Sequence, residues 1–132
     1  MIRSKPPRFA AAVAIVTIGP FAVCANAQTP AGYPGGDPAH GKAIYQVCMG
    51  CHSLDENDVG PRHRGVVGRV AGSVSDYAYS SALKNSGLTW DAANLDRWLT
   101  NPQALVPGAK MFFTLSNPKD REDVIAYLSE LR

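Results

Sequence analysis

Five consecutive residues constrain this chain more than any others. Cys48 and Cys51 are separated by two residues, and His52 directly follows the second cysteine. This C-x-x-C-H pattern is the attachment signal for c-type haem, in which each thiol adds to one vinyl group of the porphyrin. The turn leaves the imidazole of His52 beneath the ring, where it can bind the iron from the proximal side. The pattern therefore predicts one covalent haem.

Two other uses of paired cysteines fit the sequence less well. A thioredoxin-like C-x-x-C needs a βαβ setting, and no strand pattern accompanies these cysteines. A structural zinc site needs four ligands, and the sequence has no second C-x-x-C. Adjacent Cys51 and His52 also suit a tetrahedral site poorly.

Residues 1–27 are typical of a cleaved secretory signal, which predicts a periplasmic location. Three basic residues open the segment, an apolar stretch runs from Phe9 to Val23, and Ala25-Asn26-Ala27 forms a cleavage site. A membrane anchor is the alternative, but the stretch is shorter than the roughly 20 residues that span a bilayer. Acylation at Cys24 is disfavoured because Val23 precedes it, where a small residue is normal.

The remaining residues predict a flexible leader at 28–36, rich in Pro and Gly, and a single domain at 37–132. After cleavage the chain has ten basic and eleven acidic residues, so its formal charge is −1. Without a basic patch, a nucleic-acid partner is not expected. A domain this small buries a modest core, and a large apolar cofactor at its centre would add much of the buried surface.

Hydrophobic periodicity predicts a small all-α fold with long loops. Helices are expected at residues 38–48, 77–86, 91–100 and from 118 onward, with loops at 53–75 and 103–116. Asp37 and Asn117 are the predicted N-caps of the first and last helices, and a proline follows each.

The second axial ligand is open on the residues alone. An unfilled sixth position would suit a haem enzyme or gas sensor, whereas a second protein ligand suits electron transfer. Met49 lies inside the attachment turn and cannot reach the other face. Met111 follows a loop with Pro and Gly, where its thioether could bind iron or simply fill the core. His40 is expected to be an exposed helix residue, and His63 a loop residue.

Several motifs occur in a specific order along the chain: Cys48-Met-Gly-Cys-His52, Gly60-Pro61, Gly68-Arg69, Gly87-Leu-Thr-Trp90, Asn101-Pro102, Val106-Pro-Gly-Ala-Lys-Met111 and Arg121-Glu-Asp-Val-Ile-Ala-Tyr-Leu128. With these motifs the chain resembles class I cytochromes c of the mitochondrial or bacterial c2/c550 type, from about Gly36 to Leu131. The resemblance implies a cytochrome c fold with crossing N- and C-terminal helices and loops wrapped around one haem c.

The resemblance also implies roles for individual residues. Met111 would be the distal ligand of a low-spin iron, opposite His52, and Trp98 would lie in the distal pocket. The carbonyl of Pro61 would accept the proton of the far ring nitrogen of His52. Gly41 and Tyr45 would pack against Val124 and Tyr127. The residues expected on the propionate side are Arg69, Tyr79, Ser80 and Trp90.

Four positions depart from the mitochondrial pattern. Trp98 replaces a tyrosine that hydrogen-bonds the methionine sulfur, which leaves that contact open. Leu83 and Ala109 replace polar residues, and the drier pocket predicts a raised reduction potential. His63 falls where that type has an apolar residue.

The expected function is that of a soluble, periplasmic, monomeric, mono-haem electron carrier rather than an enzyme. Its expected partners are a cytochrome bc1-type or dehydrogenase donor and a membrane oxidase or reductase. The alternative is a dedicated haem c subunit of a periplasmic oxidoreductase complex. Few lysines remain for a docking ring, which predicts weak electrostatic steering; they are Lys42, Lys84, Lys110 and Lys119.

Overall fold

The computed structural model describes residues 35–132. The predicted signal and most of the predicted leader lie outside these residues. The described part is helical, and its elements in order are α1 (Pro38–Ile44), a 3₁₀ helix (Tyr45–Gly50), α2 (Ser81–Lys84), α3 (Ala92–Thr100), α4 (Pro102–Leu105) and α5 (Pro118–Glu130). Its one β feature is an isolated bridge between Val70 and Thr89. The predicted all-α class is confirmed, and no helix between residues 35 and 132 is long and apolar enough to cross a membrane.

The first helix begins as predicted but tightens before the attachment motif. The side chain of Asp37 accepts hydrogen bonds from the backbone N–H groups of Ala39 and His40. The expected α-helix over 38–48 is wrong beyond Ile44, where a 3₁₀ helix takes over. There the carbonyl of Cys48 accepts from the backbone N–H groups of both Cys51 and His52. These bonds close the C-x-x-C-H turn in place of the α-helical pattern.

Helices α1 and α5 pack closely because Gly41 has no side chain. A Cβ at Gly41 would lie 1.9 Å from the carbonyl oxygen of Asp123 and 3.0 Å from the Cβ of Tyr127. One turn later the ring of Tyr45 packs against the ring of Tyr127, with centroids 5.3 Å apart. The predicted helix contact is present, and α5 buries Val124, Ile125 and Leu128 against the core.

A buried carboxylate links the same two helices. Asp123 is 1% exposed and accepts hydrogen bonds from the backbone N–H of Asp37 at 2.6 Å, His40 Nδ1 at 2.8 Å and Lys119 Nζ at 2.7 Å. These three donors hold the pKa of Asp123 well below its usual range. The hydrogen bond to Asp123 in turn raises the pKa of His40.

The expected helix over 77–86 is wrong at its start. Only Ser81–Lys84 is helical, because Ser80 caps it by accepting from the backbone N–H of Leu83 at 3.1 Å. Before the cap, Tyr77 Oη donates to the carbonyl of Val59 and ties this segment to a neighbouring loop. The helix also ends earlier than predicted, at Lys84 with Asn85 as its C-cap, so Gly87 does not follow the cap although its φ is +66°.

Helix α3 matches its prediction, whereas α4 falls in a region expected to be loop. Asp91 caps α3 through the backbone N–H of Asn94. Asn101 ends α3 in extended conformation, and its side chain accepts from the backbone N–H of Ala104 to cap α4. Pro102 therefore begins the short helix α4 in addition to following the end of α3.

Candidate haem site

A cavity of about 410 Å³ lies within the domain, a volume typical of ligand pockets. All four residues predicted for attachment and iron binding line it: Cys48, Cys51, His52 and Met111. Most of the other wall residues are apolar side chains from α2, α3, α5 and the loops, including Val66, Leu83, Leu95, Leu99, Val124 and Leu128. The fold thus brings together groups that are separated along the sequence.

The imidazole of His52 is oriented by the main chain. Its Nδ1 lies 2.7 Å from the carbonyl oxygen of Pro61, so Nδ1 carries the hydrogen and donates it. The lone pair is then on Nε2, the nitrogen available to a metal. Burial lowers the pKa of His52, which keeps the ring neutral. A Cβ on Gly60 would lie 2.2 Å from Cε1 of His52, so only glycine permits this ring position.

The two cysteines differ in exposure. Cys48 is half-buried, and its burial raises the pKa of the thiol to about 11. Cys51 is exposed. A protonated thiol is a poor metal ligand, because metals bind the thiolate. The environment of Cys48 therefore disfavours a thiolate–metal bond.

His63 forms the most unexpected contact of the site. Its ring stacks on that of His52, with centroids 3.9 Å apart and planes inclined by 21°. Its Nδ1 lies 3.0 Å from Tyr45 Oη. Burial lowers the pKa of His63 to about 3, and the neighbouring His52 and Arg69 contribute smaller effects in the same direction. Sequence reasoning placed His63 in a loop but did not find this contact.

The sulfur of Met111 has an indole partner. Trp98 Nε1 donates to Met111 Sδ at 3.2 Å, so the contact that the sequence left open is formed. Gln103, which the sequence did not single out, holds the surrounding loop. Its amide Nε2 donates to the carbonyls of Ala109 and Met111, both at 2.8 Å, and its Oε1 accepts from a backbone N–H.

The residues expected on the propionate side also line the cavity: Arg69, Tyr79, Ser80 and Trp90. Arg69 donates from its guanidinium to the carbonyls of Arg62 and Arg64, and burial lowers its pKa. Ser80 uses its oxygen as a helix cap and keeps its hydroxyl hydrogen as a donor. The role of each residue toward a propionate stays a prediction. Met49 and His40 do not line the cavity.

The cytochrome c family model matches residues 38–132. This chain belongs to the cytochrome c family. Members of the family are electron-transfer proteins, generally not enzymes, that carry covalent haem c. The residues around the cavity fit that group, since two thiols, a neutral imidazole and a thioether meet inside apolar walls.

Individual cytochromes resemble this one along most of its described length. Cytochrome c2 of Rhodomicrobium vannielii is 50% identical over 101 residues, covering 74% of this chain and 81% of that protein. Cytochrome c2 of Rhodoblastus acidophilus is 46% identical, with 74% of this chain and 94% of that protein covered. Cytochrome cH from Methylobacterium extorquens aligns with TM-score 0.70 and 49% identity, covering 72% of this chain and 99% of that structure.

Proposed function

We propose that this cytochrome is a periplasmic, monomeric, mono-haem electron carrier with a closed iron site. The observation that carries the proposal is the pairing of His52 and Met111 in one apolar cavity, with Trp98 bonded to the Met111 sulfur. A protein ligand on each side of the iron leaves no position for a substrate, which suits electron transfer and disfavours catalysis at the metal.

Each wall of the cavity has a part in this function. Cys48 and Cys51 hold the cofactor covalently, His52 Nε2 and Met111 Sδ bind the iron, and haem bound in this way supplies a one-electron redox centre. The apolar side chains exclude water and thereby favour the reduced, less charged state. Arg69 and Trp90 line the cavity, and their guanidinium and indole N–H groups would donate hydrogen bonds to the negative propionates.

The spectrum of the purified haem-loaded protein, with and without carbon monoxide, tests this function. We expect a thioether-to-iron band in the oxidised protein and no carbon monoxide shift in the reduced protein. Met111→Ala is the positive control, because it opens the sixth position. A clear shift in the wild type would instead indicate an open iron and support an enzyme or sensor.

Docking is proposed through the mouth of the cavity, which is lined by four exposed apolar side chains: Val47, Val59, Phe112 and Phe113. Phe112 is 75% exposed. Exposed aromatic side chains of this kind often anchor protein interfaces. The expected partners are a cytochrome bc1-type or dehydrogenase donor and a membrane oxidase or reductase.

Charge contributes less to this surface than apolar contact. Arg62 donates to the carboxylate of Asp76 at 2.9 Å, and Arg64 is paired with Asp55. Lys110 at the cavity mouth donates to the carbonyl of Ala78. Asp76 and Asp55 offset the charges of Arg62 and Arg64, whereas Lys110 keeps its charge, so the net positive charge of these loops is small, which supports the weak-steering prediction.

Electron transfer to a membrane oxidase, followed against salt concentration, tests the docking proposal. We expect a shallow dependence on salt, and a steep fall would contradict weak steering. Phe112→Ser should lower the second-order rate constant about tenfold, since an aromatic interface anchor is worth more than about 1 kcal/mol. Val70→Ser is the matched control, because Val70 is 54% exposed and does not line the cavity. Equal rates for the two variants would contradict an apolar docking face.

The exposure of Phe112 and its neighbours also favours a second candidate, the dedicated haem subunit of a periplasmic oxidoreductase. Large apolar patches are more common in permanent interfaces than on free carriers. Gel filtration of native extract separates the two candidates. Elution as a monomer supports the carrier, and elution in a stable larger complex supports the subunit.

A further inference from the structure

The imidazole of His52 is confined on several sides. The carbonyl of Pro61 accepts the Nδ1 hydrogen, and the backbone of Gly60 approaches the ring too closely to admit a Cβ. His63 covers a face of the ring in a stack of 3.9 Å. The Pro61 and Gly60 contacts come from the main chain, whereas His63 restricts rotation of the His52 ring about its Cβ–Cγ bond through a side chain.

His63 is itself held in place by Tyr45. The two side chains meet at 3.0 Å between Tyr45 Oη and His63 Nδ1. Tyr45 is 1% exposed, and its ring packs against Tyr127 of α5. A buried phenol needs a hydrogen-bond partner, and the imidazole supplies it. The orientation of His63 is therefore tied to the packing of α1 against α5.

We propose that Tyr45 and His63 form a positioning pair for the proximal ligand. Tyr45 orients His63, and the His63 ring holds the plane of His52 and shields its hydrogen bond to Pro61 from water. That hydrogen bond fixes the ring orientation of a ligating histidine and raises its basicity. The proposal rests on the proposed function, since it treats His52 as an iron ligand.

Ordinary packing predicts a different pattern of effects. If His63 only filled space, a leucine would replace it at a cost in stability alone, and the Tyr45 hydroxyl would have no influence on His52. A positioning pair predicts that removing the hydroxyl alters His52, which Tyr45 reaches through His63.

The experiment compares Tyr45→Phe with Tyr127→Phe in the haem-loaded protein. Both substitutions remove one hydroxyl, and the two rings are neighbours, but only Tyr45 bonds His63. The readouts are the exchange rate of the His52 Nδ1 proton by NMR, the reduction potential and the free energy of unfolding. We expect Tyr45→Phe to speed exchange about tenfold, the factor that corresponds to one hydrogen bond, and to shift the potential. Tyr127→Phe should leave the exchange rate within twofold of the wild-type rate and the reduction potential unchanged.

His63→Leu and the double variant Tyr45→Phe/His63→Leu complete a cycle. A pair that acts as a unit predicts that the double variant exchanges no faster than His63→Leu alone. Additive effects, or equal exchange rates for Tyr45→Phe and Tyr127→Phe, would overturn the proposal. Should Tyr45→Phe not fold, His63→Gln keeps a partner for Tyr45 and removes the stacked ring; unchanged exchange there would also overturn it. A carbon monoxide shift in the wild type would count against the proposed function instead.

Discussion

The two predicted iron ligands, His52 and Met111, are held by different kinds of contact. On the proximal side, backbone groups orient His52, through the carbonyl of Pro61 and the close approach of Gly60. On the distal side, side chains hold Met111, through the indole of Trp98 and the amide of Gln103. The difference teaches that the proximal geometry is constrained largely by chain conformation, to which the stacked His63 ring adds one side chain. The distal geometry can be adjusted by single substitutions that leave the fold intact.

Met111→Ala should have the largest effect and should be confined to the distal side. We expect the reduction potential to fall by a few tenths of a volt, within the ~0.8 V that axial ligands span, and carbon monoxide to bind. Potentiometry and the visible spectrum measure both. Met49→Ala is the control, because Met49 is 52% exposed and does not line the cavity. An unchanged potential would mean that Met111 is not a ligand.

Gly60→Ala should have the next largest effect, on the proximal side. Its Cβ would overlap the ring of His52 at 2.2 Å, and overpacking of this kind costs about 2–3 kcal/mol. Guanidinium unfolding of the haem-loaded protein measures the loss. Gly50→Ala is a matched control, since no atom lies within 4 Å of the Cβ it would add. Similar losses of unfolding free energy in both variants would show that the main chain at Gly60 can move to make room for a Cβ.

Trp98→Phe should produce a smaller, distal change. The N–H of Trp98 withdraws electron density from the Met111 sulfur and disfavours the oxidised iron, so losing it should lower the potential. A hydrogen bond of about 1 kcal/mol corresponds to ~40 mV for one electron. Trp90→Phe makes the same change in the other cavity-lining indole, 5.1 Å away. We expect the thioether-to-iron band to shift in Trp98→Phe only, and a shift in both would contradict a specific sulfur contact.

The smallest effect lies away from the cavity, at His40. Its pKa in the folded protein is raised above the unfolded value of about 6.5 by Asp123, so the stabilisation is complete below that pH and is lost as pH rises through the folded pKa. The carboxylate of Asp123, with its lowered pKa, contributes above about pH 4. We therefore expect the unfolding free energy of wild type minus that of His40→Gln to decline above pH 6.5. A constant difference between pH 6 and 9 would contradict this.

Local signals predicted much of the fold and of the proximal side. The caps at Asp37 and Asn117 are confirmed because a side-chain oxygen near a helix start needs only its own next residues. The bond from His52 to Pro61 is present as the resemblance implied. The partners in the caps and in the His52–Pro61 hydrogen bond are close along the chain, so sequence spacing constrains these contacts.

The sequence pattern could not predict contacts between side chains from different parts of the fold. The stack of His63 on His52 and the Trp98–Met111 bond depend on how loops and helices meet in space. Helix α4 was missed because Asn101-Pro102 signals an end and a beginning equally well. The short α2 shows the opposite error, since Ser80 has an extended backbone and caps the helix three residues after Tyr77.

The buried carboxylate of Asp123 also has a consequence in time. It joins Asp37 to a residue 86 positions later, so nearly the whole domain must exist before this contact can close. Closing a loop of this length costs chain entropy, and the contact needs residues from both ends of the domain. While α5 is still absent, as during synthesis, Cys48 and Cys51 therefore lie in a segment that this contact does not yet hold. We therefore expect haem attachment to the two thiols to be possible before α1 and α5 pack together.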